Sequence, residues 1–184
     1  MKIISICFFV GSLLVFSSCS NGDKTNSNTP TDKALYSSQV DEINALRDSM
    51  STNLMSKDIK RLSAKLARKT IDFVNQYSDD EKAPGYLLLA AQLQNGLGEY
   101  TKSINTLNRL IKRYPEFDHL PEAYFLVGFT YDENMGNKAQ AKRVYSEVIE
   151  KFPESPFAEQ AHFLLENLYL TDDQLYEKLK NSNP

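Results

Sequence analysis

At 184 residues, 41% of them hydrophobic, the chain has room for one packed domain once any targeting segment is set aside. Lys and Arg number 21 against 24 Asp and Glu, a net charge of −3; this near balance argues against nucleic-acid binding, which needs a dense basic stripe, and no such patch is visible in the sequence. Seven Gly and seven Pro are too few turn residues for a β-sandwich or barrel.

In chain order, Lys2 supplies a positive start, and Ile3 to Phe16 is a mostly apolar run of about fourteen residues, too short for an ordinary membrane-spanning helix and the right length for a signal-peptide core. It ends in Ser17, Ser18 and Cys19. Small residues directly before a cysteine resemble the lipobox of bacterial lipoproteins, although Phe16 stands where that motif usually has Leu. The resemblance implies a signal peptide over residues 1–18, acylation of Cys19, and a membrane contact made through the N-terminal lipid. The alternative is an ordinary secretory signal cleaved near Ser18, with Cys19 a free thiol. Cys7 lies inside the removed segment, so Cys19 would be the sole thiol of an exported protein and form no internal disulfide. Lipid attachment gives such a cysteine a role.

Residues 19–32 contain almost nothing apolar and are dominated by Asn, Ser, Thr and Asp, so they read as a flexible tether that holds the folded part roughly 20 Å from the bilayer. In the resemblance to enteric lipoproteins, Asp directly after the cysteine implies retention at the inner membrane. Ser20 occupies that place, which implies lipid anchoring at the outer membrane, facing the periplasm, with the cell surface as a variant.

Residues 33–79 read as capping helices. The first spans 34–54, with Val40, Ile43, Leu46 and Met50 inward; the second spans Asp58 to Tyr77, with Ile59, Leu62, Leu66, Phe73, Val74 and Tyr77 mostly on one face. From 80 to 170 the chain repeats itself every 38 residues: Leu110-Ile111-Lys112-Arg113-Tyr114-Pro115-Glu116 aligns with Val148-Ile149-Glu150-Lys151-Phe152-Pro153-Glu154. In the same register Tyr86 meets Tyr124 and His162, Leu87 meets Phe125 and Phe163, Gly98 meets Gly136, and Leu107 meets Tyr145. A period of this length denotes helical hairpins that bury their apolar faces only by stacking. Each unit is a helix A, a turn where Gly136 and Asn137 tolerate left-handed backbone, a helix B, and a Pro stop. Ser155-Pro156 supplies a cap and first helical position for the next helix. Residues 171–184 form a C-terminal capping helix and tail, opened by a capping box at Thr171-Asp172-Asp173-Gln174 and carrying Leu175 and Leu179.

Tyr124, Val127, Gly128, Tyr131, Ala141, Tyr145, Val148 and Pro153 resemble the signature positions of the tetratricopeptide repeat, with one extra residue in the turn. Tyr86, Leu89, Ala90, Leu93, Leu107, Leu110 and Pro115 match less completely; a third unit begins at His162, Leu165 and Tyr169, where Glu166 replaces the small residue and marks the end of the stack. The resemblance implies an all-α fold, a stack of antiparallel helix hairpins forming a tetratricopeptide-like superhelix of about three to four repeats. With its long period and KRYPE-like helix ends, the chain looks like the periplasmic subgroup that includes BamD-type and Tol-Pal-associated lipoproteins.

No phosphate loop, HExxH, nucleophile elbow or metal-spaced cysteine pair is present, and the reading is therefore a non-enzyme without cofactor or catalytic residues. His119 falls in a loop and His162 at a core position, read as structural rather than metal-binding. The family resemblance implies that A helices line a concave groove, here Leu87, Ala91, Gln94 and Asn95; Glu122, Phe125, Phe129, Asp132 and Glu133; and Gln160, Phe163 and Asn167. Phe125, Phe129 and Phe163 would form an aromatic patch beside two carboxylates, suited to a peptide with apolar anchors and a basic group. The alternative is that these rings are buried against neighbouring helices. The expected partner is another envelope protein or peptide segment, not nucleic acid; a BamD-like part in outer-membrane protein assembly and a glycan- or peptidoglycan-binding accessory role are the competing readings.

Overall fold

The structure, a computed structural model, describes residues 30–52 and 57–182. The expected signal peptide, Cys19 and the tether up to residue 29 lie outside the described residues. Among those described, eight α-helices follow one another: α1 (Pro30–Thr52), α2 (Ile59–Gln76), α3 (Ala83–Gly96), α4 (Tyr100–Arg113), α5 (Leu120–Phe129), α6 (Lys138–Lys151), α7 (Pro156–Asn167) and α8 (Asp172–Ser182). A π-helical turn, Thr130–Asn134, prolongs α5. Helix α1 takes in the last three residues of the expected tether, because Pro30 is pre-set for a first helical turn and Asp32 in that turn complements the helix dipole.

Packing is sequential, α1 on α2, α2 on α3 and so on to α7, with α5 also touching α7 across the unit between them. This nearest-neighbour pattern is that of a stacked repeat. Helices α3 and α5 are apolar around most of their circumference, since they are covered on several sides. Helices α2 and α4 carry one apolar stripe each, Leu66-Ala67-Thr70-Phe73-Val74 and Ser103-Ile104-Thr106-Leu107-Leu110, and leave a polar face outward.

The ends of the elements repeat as faithfully as the core. Tyr77, Tyr114 and Phe152 each cap a B helix with φ between −122° and −133° and ψ between 52° and 66°. Each donates its N–H to the carbonyl four residues back, Phe73, Leu110 and Val148. In the turn after α3, Gly98 adopts φ 79°, while the N–H groups of Gly98 and Glu99 reach the carbonyls of Asn95 and Gln94 at 2.9 and 2.8 Å. That is a Schellman closure. In the next unit the N–H of Met135 reaches Thr130 at 3.1 Å and that of Asn137 reaches Tyr131 at 2.7 Å, so the π turn takes up slack before Gly136 at φ 61°. Asn137 itself is not left-handed as expected: at φ −89° it caps α6, accepting from the Gln140 N–H at 3.2 Å. Ser155 caps α7 by accepting from Phe157, and Thr171 and Gln174 exchange the two bonds of the capping box at 2.9 and 3.3 Å.

Gly128 sets the closest approach between an A and a B helix. A Cβ placed there would lie 2.8 Å from the Tyr145 ring and 3.4 Å from Val144. Tyr145 is fully buried and donates its hydroxyl to Asp132 at 3.3 Å. Tyr124, the first signature position of this unit, is half-buried; it packs on Phe152 at 5.4 Å and takes the Lys151 ammonium over its ring at 4.7 Å.

Two predictions follow the packing. Gly128→Ala must displace a buried ring and is expected to cost about 1–3 kcal/mol in a urea melt. Gly85→Ala, in α3 with open space around its Cβ, is expected to add about 0.5–1 kcal/mol instead; equal effects of the two would contradict the proposed contact. The second concerns pH. Burial, helped by the neighbouring Asp132 carboxylate, pushes the Tyr145 phenol above its ordinary value. The unfolded phenol therefore loses its proton first, near pH ~10, and the stability present below that pH falls as pH rises toward the folded value. Tyr145→Phe, measured in denaturant melts across the alkaline range, should show a shallower decline; an equally steep one would place the effect elsewhere.

Candidate functional site

The residues expected to line the groove divide by how the stack uses them. Leu87 and Phe125 are interior rather than lining a groove, at 0% and 8% exposure. Phe125 sits in an aromatic cluster with Phe157 at 5.5 Å, Tyr145 at 6.0 Å and Phe129 at 6.1 Å, filling the junction of α5, α6 and α7. Ala91 is likewise fully buried. The expected patch of Phe125, Phe129 and Phe163 does not form, since Phe163 takes part in none of these ring pairs.

The polar candidates are mostly consumed internally. Gln94, buried, accepts from the Thr106 hydroxyl at 2.8 Å and so ties α3 to α4. Asp132, one period later, does the same between the π turn and α6: its carboxylate, only 3% exposed, accepts from the Lys138 ammonium and from Tyr145. A carboxylate at the C-terminal end of a helix is opposed by the helix dipole, and these two donors hold it there. Asn95 donates to Thr130 at 2.8 Å, joining one unit to the next. Asn167, buried, donates to the Phe163 carbonyl at 2.6 Å and accepts from Lys178 at 2.7 Å, joining α7 to α8. Burial makes these bonds matter, because a buried polar group left unpaired costs about 1–3 kcal/mol. Gln94, Asp132 and Asn167, expected to line the groove, are buried and bonded within the stack.

Glu122 is half-buried, accepting from Gln92 at 2.9 Å and facing His119 at 3.3 Å. Gln160 is exposed and bonds the Pro156 carbonyl at 3.3 Å. Of the expected set, Glu133, Gln160 and Phe163 are exposed and Asn95, Glu122 and Phe129 half-buried. His162, expected in the core, is also exposed and faces Glu166 at 3.5 Å. Among the described residues no three His, Cys, Asp or Glu side chains stand close enough to hold a metal ion, and no helix is long and apolar enough to cross a membrane.

Position in the stack explains the difference between equivalent residues. Leu87, Phe125 and Phe163 occupy one register position, with exposures of 0%, 8% and 43%. Phe125 is covered by α6 and α7, whereas among the described residues α7 is followed by α8 alone. Four of the six large apolar or aromatic residues exposed among those described, Phe163, Tyr169, Leu170 and Tyr176, fall in this last stretch. Tyr169, Leu170 and Tyr176 were not expected as site residues. The end of the repeat pattern at Glu166 was the signal available for them.

Residues 86–116 and 122–155 match the family described as tetratricopeptide repeat. Among solved structures, a tetratricopeptide repeat protein from Parabacteroides merdae ATCC 43184 is similar at 22% identity with a TM-score of 0.44, over 75% of this chain. The chain spans 56% of the length of that protein. No curated protein matches. The chain thus carries tetratricopeptide repeats over residues 86–116 and 122–155, set in an all-α stack of antiparallel helix hairpins.

Proposed function

We propose that this protein is a non-catalytic scaffold of the bacterial envelope that holds a segment of another protein at the open end of its stack. Tetratricopeptide repeats suit protein partners, because stacked helices present a large, rigid surface at no further cost in ordering. The observation that carries the reading is the aromatic and apolar exposure at the C-terminal end, where Phe163, Tyr169, Leu170 and Tyr176 stand uncovered while the register-equivalents of Phe163 are buried. Clustered exposed apolar side chains, Tyr and Phe above all, mark contact surfaces. Exposed Glu166, on the same helix as Phe163, adds a preference for a basic group beside the apolar anchor.

The address follows from the sequence. Cys19, after Ser17-Ser18 and an apolar run, is the acylation site in this reading, and Ser20 directs the lipidated chain to the outer membrane, facing the periplasm. Anchoring by acyl chains leaves the repeat stack free to meet its partner.

A photo-crosslinking residue placed at Phe163 is expected to yield a discrete adduct with an envelope protein in intact cells, and the same residue at Lys142, on the exposed side of α6, is expected to yield none. Identical adduct patterns at both positions, or none at 163, would remove the open end as a docking site. For the anchor, Cys19→Ser is expected to abolish incorporation of labelled palmitate and release the protein from the membrane fraction. Retention of label in that variant would overturn lipidation at this cysteine.

A further inference from the structure

Charge is segregated by helix in a way that the net value of −3 hides. Helix α2 carries Lys60, Arg61, Lys65, Arg68 and Lys69 against the single carboxylate Asp72, and α4 carries Lys102, Arg109, Lys112 and Arg113 against none. Both are B helices, whose apolar stripes face the core, so these cations are turned outward. Several are neutralised locally: Lys65 and Lys69 by Glu42, Arg61 by Asp58, Lys102 by Glu99 and Arg113 by Asp79.

Between α2 and α4 runs an open cleft of about 770 Å³. Its walls carry Asn75, Asn105, Asn108, Arg109 and Lys112, with Val74 as its one apolar side chain. Arg109 is oriented by a hydrogen bond to the Asn75 side-chain oxygen at 2.8 Å, an amide rather than a carboxylate, so no anion pairs with it there. Lys112 has no carboxylate within ion-pair distance among the described residues and is exposed. Two unneutralised cations and three amides therefore converge on a concavity in the size range of ligand sites, about 300–1,000 Å³.

We propose that this cleft binds an anionic polysaccharide, with Arg109 and Lys112 on its carboxylate or phosphate oxygens and Asn75, Asn105 and Asn108 on its hydroxyls. Guanidinium and ammonium groups are the side chains suited to oxyanions, and side-chain amides, both donor and acceptor, match sugar hydroxyls, which are both as well. An acidic peptide is a poorer fit, since peptide docking draws on apolar anchors and the cleft offers only Val74. A planar lipid surface would meet the rims of the concavity and leave its amides unused. The site lies on B helices, apart from the α7 end proposed for protein contact, and does not depend on that reading.

The test is a titration of the purified full chain with polygalacturonate, which bears carboxylates, with phosphomannan, which bears phosphates, and with dextran of matched length, which bears neither. Binding to at least one of the charged polymers and not to dextran is expected, and the responding polymer identifies the oxyanion. Arg109→Ala/Lys112→Ala should weaken it by at least about tenfold, as loss of two charge-assisted bonds implies. Removing the same charge from α6 with Lys142→Ala/Arg143→Ala should leave it within about twofold, because those cations lie outside the cleft. Asn105→Ala/Asn108→Ala, which alters no charge, should also weaken it and separates recognition of hydroxyls from bulk attraction. Unchanged thermal melts confirm that each variant is folded. Equal losses in the α4 and α6 pairs, indifference to the Asn pair, absence of binding to both charged polymers, or binding to phosphatidylglycerol vesicles in their place would each overturn the proposal.

Discussion

The close approach of Gly128 to the Tyr145 ring is the contact on which the second repeat depends. Ring and backbone fit because the side chain is absent, and the ring in turn reaches Asp132 with its hydroxyl and lies tilted against Phe125. In the preceding repeat the equivalent positions hold Ala90 and Leu107, both fully buried. A methyl opposite Leu and a hydrogen opposite Tyr keep the summed volume of the pair similar, which is how packed interiors tolerate substitution. At the third occurrence the small residue is Glu166, exposed on α7. A glutamate there leaves no room for a close approach of the kind α6 makes to α5, and among the described residues α7 is joined to α8 through the Lys178–Asn167 bond instead.

The polar residues of the A helices have the same organising role. Gln94 and Asp132 share a register position, and each reaches across to its own B helix, one through Thr106 and the other through Tyr145 and Lys138. Asn95 reaches forward to Thr130 in the next repeat. Apolar stacking alone permits one hairpin to slide along its neighbour, since dispersion and hydrophobic contact are non-directional. Hydrogen bonds between buried groups do not permit it, because a slip leaves donors and acceptors unpaired. These side chains fix register, and the surface available for binding is what remains after they are subtracted.

Much of this architecture was legible in the sequence. The 38-residue period, the glycines at 98 and 136, the Ser155 cap and the Thr171–Gln174 box all correspond to local backbone requirements that a residue type answers by itself. The groove was not legible in the same way. Leu87, Phe125 and Phe163 are interchangeable in pattern, and only the presence or absence of a covering helix distinguishes their exposure. Asp132 reads from the sequence as a groove carboxylate; what holds it inside is Lys138, six residues on, brought back by a turn whose π geometry no residue type announces. The basic faces of α2 and α4 are present in the sequence, but acidic residues elsewhere offset them in the net charge of −3.

That last point bears on how a small repeat protein divides its surfaces. The inner A helices, α3 and α5, are covered by neighbours on several sides, so their sequences are apolar nearly all round and little of their area is exposed. B helices keep one face in water along their whole length, and it is there that composition is free to vary without disturbing the core. Selection for an apolar partner therefore acts most readily on the last A helix, and selection for a charged one on the B helices. In this chain the exposed aromatics lie in α7 and beyond, while nine cations lie in α2 and α4. The two kinds of surface are separated by the same packing rule that builds the stack, and a protein of eight described helices has room for both.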